Sequence, residues 1–357
     1  MSARADRLAE LLAEAGADAI LVTDLVNVRY LTGFTGSNAL ALIGPEVRAF
    51  ATDFRYVEQA AEELEASFDR LAPSQDLLEA ITDALTAREL RLGFEEAHLS
   101  VREHARLRAR LPDRIELVGL QGLVETLRAV KAREEVAAIR AATELADAAF
   151  AQLISGGLVG HSERELAIAL EFEMRRLGAE RPSFEPIVAA GPHGALPHAQ
   201  PRDVEITDGQ LVVIDWGAQL AGYCSDCTRT LAAGSVSGRG AEIYQLVLDA
   251  QLNGVQAIAA GAVGRDVDAV ARQLIDSSGH GEHFGHGLGH GVGLEVHEAP
   301  RLAQRSDAVL ATGNVVTVEP GVYLPGELGV RIEDLVVVSG SGPEILTGLS
   351  KELAVID

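Results

Sequence analysis

Five side chains in the C-terminal part of the chain have the types and spacing to hold metal ions: Asp215, Asp226, His290, Glu319 and Glu333. Four are carboxylates and one is an imidazole, a donor set that suits a pair of hard or borderline divalent cations. The first two lie in LVVIDWGAQLAGYCSDCTRTL (211–231), where β-rich runs flank Gly217 and Gly222. Folding the chain back midway, at Leu220-Ala221, sets Asp215 opposite Asp226, and directly opposed residues of an antiparallel pair share a face. The other two lie in NVVTVEPGVYLPGELGVRIEDLVVV (314–338). Their midpoint is Gly326, preceded by Pro325, and that turn chemistry lets Glu319 face Glu333. Ordinary surface acids on two solvated hairpins would carry the same charge. The apolar neighbours Val213-Ile214 and Val316-Thr317-Val318 argue against that, because an acid inside an apolar run needs a partner.

The imidazole comes from FGHGLGHGVGLEVHE (284–298), in which His286, His290 and His297 stand among five glycines. Glycine removes side-chain bulk and lets backbone come close to a ligand. No helical HExxH occurs, so the zincin arrangement is excluded. Three histidines in one glycine-rich stretch, with four carboxylates elsewhere, point to a site rather than to isolated structural histidines.

Taken together, these segments resemble the pita-bread metallopeptidases, specifically the Xaa-Pro branch of prolidase and aminopeptidase P. The matching stretches are ALPHA (195–199), VIDWGAQLAGYCSDCTRT (213–230), GHGLGHGVGLEVHEAPR (285–301), VEPGVY (318–323) and GVRIED (329–334). The N-terminal half matches more loosely, through VRYLTGFTGSNA (28–39) and TDFRYVEQA (52–60). One departure is Ala199, where relatives often have glycine.

The resemblance implies an N-terminal α/β domain (1–124), of the creatinase/prolidase type, that forms a homodimer and walls the pocket. It implies a C-terminal catalytic pita-bread domain (125–357), so the fold class is α/β (α+β). It implies two divalent ions per subunit, manganese before cobalt or zinc. Asp226 and Glu333 would bridge both ions, Asp215 would complete one shell, and His290 and Glu319 the other. Glu319 would also accept the proton of the attacking water. Four carboxylates balance two divalent cations. His198 and His297 match the family's substrate-binding and proton-handling histidines, and His286 an outer histidine, although each could be a hydrogen-bonded structural residue. Arg331, two residues before Glu333 and so on the same strand face, is positioned to orient that carboxylate, pair with another acid or touch substrate. Arg301 matches the arginine with which prolidases hold the free carboxylate of a dipeptide, against the alternative of a solvated surface arginine. The implied reaction is cleavage before proline in a small peptide with proline at the second position, most simply an Xaa-Pro dipeptide. Action on longer peptides, as in aminopeptidase P, is the alternative, and a non-catalytic pita-bread binding protein a remote one. A creatinase-like hydrolase would lack the metal set, and a methionine aminopeptidase would not need the N-terminal domain.

Composition agrees. A chain of 357 residues suggests two domains. The formal net charge of −23, from 53 acidic and 30 basic residues, repels nucleic acid and anionic membranes. No apolar run approaches a membrane span, and MSARADRLAELLAEAG reads as an amphipathic helix rather than a signal peptide, so a cytoplasmic protein is expected. The two cysteines, in C-S-D-C at 224–227, could be a redox pair or half a zinc site. Placed within a strand they face opposite sides, which favours two buried free thiols.

Along the chain, helices are expected at about 3–15, 56–66 and 74–89, and strands at 19–23, 39–44, 48–53 and 91–95. Ser100 and Glu103 form a capping box before another helix. From residue 127 onward the pattern changes to helix (131–154), a helix capped by Ser162 and Glu165 and closed at Gly178, the segment HGALPHA (193–199) and the Asp hairpin. Helices at about 240–260 and 266–277, the glycine-rich histidine segment and the Glu hairpin repeat that order. Two such halves could pack about a pseudo-twofold axis with the four acids in the middle.

Overall fold

The computed structural model describes residues 2–85 and 89–357. The chain divides into two compact units, Met1–Arg128 and Ala129–Asp357.

The first unit is built on six strands, β1 (Ala19–Val22), β2 (Ala39–Gly44), β3 (Val47–Thr52), β4 (Asp69–Arg70), β5 (Leu90–Glu95) and β6 (Ile115–Leu120), in the order β4-β3-β2-β1-β5-β6. The central strand β1 pairs antiparallel with β2 and parallel with β5. Every residue of β1 is buried, which is why AILV reads as a continuous apolar run without alternation. The helices are α1 (Ser2–Glu14), α2 (Leu25–Thr32), α3 (Val57–Glu63), α4 (Leu77–Ala84), α5 (Val101–Arg110) and α6 (Leu123–Ala129). The capping box of α5 forms as expected, with Ser100 Oγ accepting from the Glu103 amide at 3.2 Å and Glu103 Oε2 accepting from the Ser100 amide at 3.1 Å. The helix expected over 74–89 is shorter, and residues 86–88 of that range lie outside the described residues. The helix expected from 56 is preceded by a 3₁₀ turn, Phe54–Tyr56. Strand β6 and helix α2 have no counterpart among the expected elements. Asp24 caps α2 by accepting from the Val26 amide, and Gly33 closes it at φ 82°, a left-handed position that suits glycine.

The second unit starts with α7 (Arg133–Ile154) and α8 (Glu163–Arg176), followed by β7 (Arg181–Pro182), β8 (Ile187–Ala190), β9 (Leu211–Trp216), β10 (Ala218–Leu220), β11 (Tyr223–Cys224) and β12 (Cys227–Ala233). Next come α9 (Gly238–Gln256) and α10 (Gly264–Ser277), then β13 (Gly289–Gly291), β14 (Glu298–Leu302), β15 (Val315–Val318), β16 (Gly321–Leu324), β17 (Leu328–Arg331), β18 (Asp334–Ser339), β19 (Gly342–Ile345) and β20 (Val355–Ile356). Two main sheets result, β20-β12-β9-β8 and β14-β13-β15-β18-β19, one per half. The order helix, helix, histidine segment, carboxylate hairpin thus occurs twice. Helix α8 carries Leu166, Leu170 and Met174 at four-residue spacing, and these join Phe150 and Trp216 in the core of the first half. The Phe150 and Trp216 rings stack with centroids 4.1 Å apart. Val247, Ile275, Val316 and Val336 lie in the corresponding core of the second half.

The two hairpins differ in how they meet the expected register. In the Glu hairpin, Val318 pairs with Asp334 and Gly321 with Arg331, so Glu319 and Glu333 stand opposite each other about the turn at Pro325-Gly326. The Asp hairpin is shifted: Asp215 pairs with Thr228, and Leu220 with Tyr223. The turn falls at Ala221-Gly222, where both residues have positive φ (49° and 82°), rather than at Leu220-Ala221. Asp226 is therefore diagonal to Asp215 and in register with Gly217. Ser225 and Asp226 also interrupt the strand that was expected to run through both cysteines. A Cβ at Gly217 would lie 2.0 Å from the Ser225 carbonyl oxygen, so only glycine permits this approach. Cys224 and Cys227 are both free and buried.

Candidate metal centre and substrate pocket

The hairpins place their acids at one buried point. Donor oxygens of Asp215, Asp226 and Glu333 lie within 4.8 Å of one another. His290, from β13, brings its Nε2 to 3.2 Å from Glu319 Oε1 and 3.6 Å from Asp226 Oδ2. All five expected ligands are thus gathered. The His290 Nδ1 lies 3.1 Å from the Gly291 carbonyl oxygen, which can only accept, so Nδ1 donates there and Nε2 is the nitrogen turned to the carboxylates.

The electrostatics are those of a site built for cations. Burial, then the Glu333, Asp215 and Glu319 charges, push the Asp226 carboxyl well above the ordinary carboxylate range. Burial and the Glu319 and Asp215 charges do the same to Glu333. Burial also raises Asp215, against the pull of Arg331. For Glu319 burial acts upward too, but the His290 hydrogen bond and charge outweigh it and hold the carboxyl at about 2. Asp215 Oδ1 is buried with no hydrogen-bond partner among the described residues. An orphaned carboxylate oxygen inside a cluster of mutually repelling acids, beside an imidazole nitrogen, fits divalent metal.

Arg331 reaches further than its strand position implied. Its Nη2 donates to Asp215 Oδ2 at 2.6 Å, its Nη1 to the Tyr323 hydroxyl at 2.9 Å and to the Pro197 carbonyl at 3.2 Å, and its Nε to Thr228 Oγ1 at 3.0 Å. It pairs with Asp215, the acid of the other hairpin. His286 is also fully engaged. Its Nδ1 donates to the Gly287 carbonyl at 2.8 Å, and its Nε2 accepts from the Tyr323 hydroxyl at 2.9 Å.

A cavity of about 450 Å³ opens above the acids. His198, His286, His297, Arg301 and Arg331 line it, together with Phe184, Glu185 and Gln200. The His297 ring centroid is 4.4 Å from that of His290. Burial, then the His290 and Arg301 charges, lower the His297 imidazole to about 4, so it is neutral near pH 7. Arg301 is exposed on β14, opposite His290 in the strand register.

The family model for metallopeptidase family M24 matches residues 137–340, and that for the creatinase/prolidase N-terminal domain matches residues 4–130. The chain belongs to metallopeptidase family M24. As an M24 metallopeptidase it is a hydrolase, and the family implies divalent metal at the carboxylate cluster. The chain is 36% identical over 356 residues to the Xaa-Pro dipeptidase of Pyrococcus furiosus, covering 99% of this chain and 100% of that protein. A solved Xaa-Pro dipeptidase from Bacillus anthracis superposes with a TM-score of 0.96 at 42% identity, with 99% of each chain covered. An X-Pro aminopeptidase from Thermotoga maritima superposes with a TM-score of 0.91 at 36% identity, covering 99% of this chain and 100% of that one.

Three residues of this M24 site were not singled out from the sequence. Thr228 donates its hydroxyl to Glu333 Oε2 at 2.7 Å and accepts from Arg331 Nε. Thr317 donates to Glu319 Oε1 at 3.0 Å and accepts the His290 amide at 3.1 Å. Tyr323 links Arg331 to His286. Each lies two to four residues from a candidate ligand in its own hairpin, and strand alternation from those acids was the available signal for the two threonines. Among the described residues, no helix is long and apolar enough to cross a membrane.

Proposed function

We propose that the chain is a dinuclear-metal Xaa-Pro dipeptidase that takes small peptides with proline at the second position. The observation that carries this reading is the convergence of the five donors beneath a pocket that also bears an arginine for a substrate carboxylate. Asp226 and Glu333 would bridge two ions, manganese in the first instance, with Asp215 completing one shell and His290 and Glu319 the other. Bound there, the ions supply Lewis acidity toward the scissile carbonyl and a nucleophile at neutral pH.

The chain's own residues supply the rest. Glu319, ionised and touching His290, accepts the proton released in the attack. His297, neutral and beside the metal cluster, and His198 on the pocket wall hydrogen-bond the carbonyl side of the substrate and manage the proton bound for the leaving amine. His286 and Arg331 hold their neighbours rather than the substrate, since their polar atoms are already engaged. Arg301, exposed on the cavity wall, pairs with the free carboxylate of the dipeptide.

A homodimer and a cytoplasmic location complete the reading, the latter in keeping with two free thiols. The similarity to an X-Pro aminopeptidase keeps action on longer peptides as the second reading. The experiment is a steady-state comparison of Xaa-Pro and Xaa-Pro-Yaa substrates after reconstitution with manganese. Preference for the dipeptide is expected. Preference for the tripeptide would establish the second reading, and no hydrolysis of either by metal-loaded protein would refute both.

A further inference from the structure

One wall of the cavity is formed by a segment with little regular structure. Residues 191–201 contain only a 3₁₀ turn, Gly191–Ala195, before the stretch Pro197, His198, Gln200 and Pro201 that lines the cavity. Beyond its own turn bonds and the close approach of Gly194 to Gly329, such a segment takes its place from side-chain anchors. Arg331 supplies one, at the Pro197 carbonyl. The other is Glu163, the first residue of α8, with a side chain that is 0% exposed.

The Glu163 carboxylate accepts from the Ala190 amide at 3.0 Å and from the Arg202 amide at 3.0 Å, the residues immediately before and after the segment. Within the segment, His193 Nδ1 lies 2.9 Å from Glu163 Oε2. Arg202 adds Nε at 3.1 Å and Nη2 at 3.0 Å. A single buried carboxylate thus ties the residues flanking both ends of the loop and its opening 3₁₀ turn. It is not required to cap α8, which Ser162 and Glu165 already do by a reciprocal pair of bonds. Removing a carboxylate from water is costly unless its bonds are well made, and here they go to His193 in the segment and to its two flanking residues, Ala190 and Arg202.

The second half of the fold carries a similar arrangement. Asp268 on α10, also buried, accepts from the Leu288 amide and from Arg272, and Arg272 donates to the carbonyls of Phe284 and His286. In each half the second helix sends a buried acid to the histidine segment that follows it.

We propose that Glu163 is a positioning residue for His198: by holding Ala190, His193 and Arg202 it sets where His198 stands on the cavity wall. The proposal rests on the reading of His198 as a substrate-facing residue of the peptidase.

The test is a double-mutant cycle on full-length, manganese-reconstituted enzyme with an Xaa-Pro dipeptide. Glu163→Gln keeps the volume but turns an amide N–H₂ toward backbone donors. It should lower kcat/KM roughly ten- to hundredfold, since misplacement by about 1 Å costs on that order. In the His198→Ala background the same change should cost less than about twofold, because the group it positions is gone. Arg202→Gln is a milder second variant in case Glu163→Gln folds poorly. It should show a smaller loss in the wild-type background and none beside His198→Ala. Ser162→Ala disturbs the same helix end without touching the segment and should lower Tm while leaving kcat/KM within about twofold. Equal losses in both backgrounds, or a comparable activity loss in Ser162→Ala, would overturn the proposal and leave the peptidase reading intact. Full activity of His198→Ala would remove the assignment of His198, and this proposal with it.

Discussion

The Arg331 guanidinium donates to Asp215 Oδ2 across 2.6 Å, and this bond joins the two carboxylate hairpins. Arg331 is buried and Asp215 mostly so, at 4% and 13% side-chain exposure, so the pair is little screened by water. The same guanidinium holds Tyr323, Thr228 and the Pro197 carbonyl, so one planar fork orients an acid of the cluster, a tyrosine that fixes His286 and the loop leading to His198. Arg331→Lys keeps the charge and loses the fork. We expect it to retain metal and to lose at least tenfold in kcat. Arg331→Leu leaves Asp215 without its cation and should destabilise the protein by about 3–5 kcal/mol before metal is added. Kinetics with metal analysis, and denaturant melts of metal-free protein, check the two outcomes. Wild-type kcat in Arg331→Lys would show that the fork does no positioning.

Metal removal is the second prediction. Chelation should abolish peptidase activity, and manganese or cobalt should restore it. Glu333→Ala should lose metal as well as rate, because it removes a carboxylate proposed to bridge the two ions. The metal-free protein should also melt at a lower temperature, since ions that bind only the folded state add about 2.7 kcal/mol at a hundredfold excess over Kd. Calorimetry with and without chelator measures this. Full activity in verified metal-free protein would exclude the dinuclear reading.

Arg301 gives the third. If it pairs with the terminal carboxylate, Arg301→Ala should weaken dipeptide turnover mainly through KM, by about 1.5–3 kcal/mol, or one to two decades in kcat/KM. Tripeptides place their carboxylate elsewhere and should suffer less. Dipeptide amides should be poor substrates for the wild type and little changed by the substitution. Equal losses on all three substrates would indicate general damage to the site rather than carboxylate recognition.

The fourth concerns pH and lies away from the metal cluster. Asp147 on α7 accepts the Gly348 amide at 2.6 Å, while its Oδ1 is buried and has no partner among the described residues. Burial raises its carboxyl from the ordinary 3.8 to about 6, with the Gly348 amide and Arg229 pulling the other way. The folded state therefore holds this proton more tightly than the unfolded state. Its contribution to stability is complete below about pH 4 and is lost as pH rises through about 6. Asp147→Asn keeps an acceptor for Gly348 and cannot ionise. It should match or trail the wild type at pH 4 and exceed it at pH 8 by on the order of 1–3 kcal/mol. Thermal melts across that range decide it, and identical pH slopes in the two proteins would refute the assignment.

Much of the centre was legible in the residues. The Glu hairpin announced its register because Pro325-Gly326 is strong turn chemistry at the midpoint between Glu319 and Glu333, and period-two alternation then carries both acids to one face. His290 was legible because it stands among glycines that admit close backbone: a Cβ at Gly289 would lie 2.0 Å from the Thr317 carbonyl oxygen. The capping boxes at Ser100 and Ser162 are local patterns and formed where the sequence put them.

What only the tertiary structure decided depends on contacts between distant segments. The Asp hairpin turns one residue later than its symmetry suggested, because Ala221 and Gly222 together adopt the positive φ of a tight turn, and the strand then breaks at Ser225-Asp226 against Gly217. No local pattern revealed that Arg331 would choose Asp215 over Glu333, its near neighbour in sequence. That choice is made by a separation of 116 positions being closed in space, as is the 105-residue reach from Thr228 to Glu333. Sequence alone could name the candidate donors that the fold brings together, since their chemistry lies in residue type and spacing. The partners that hold those side chains could not be read in the same way, because a hydrogen bond across the fold leaves no periodicity in the chain.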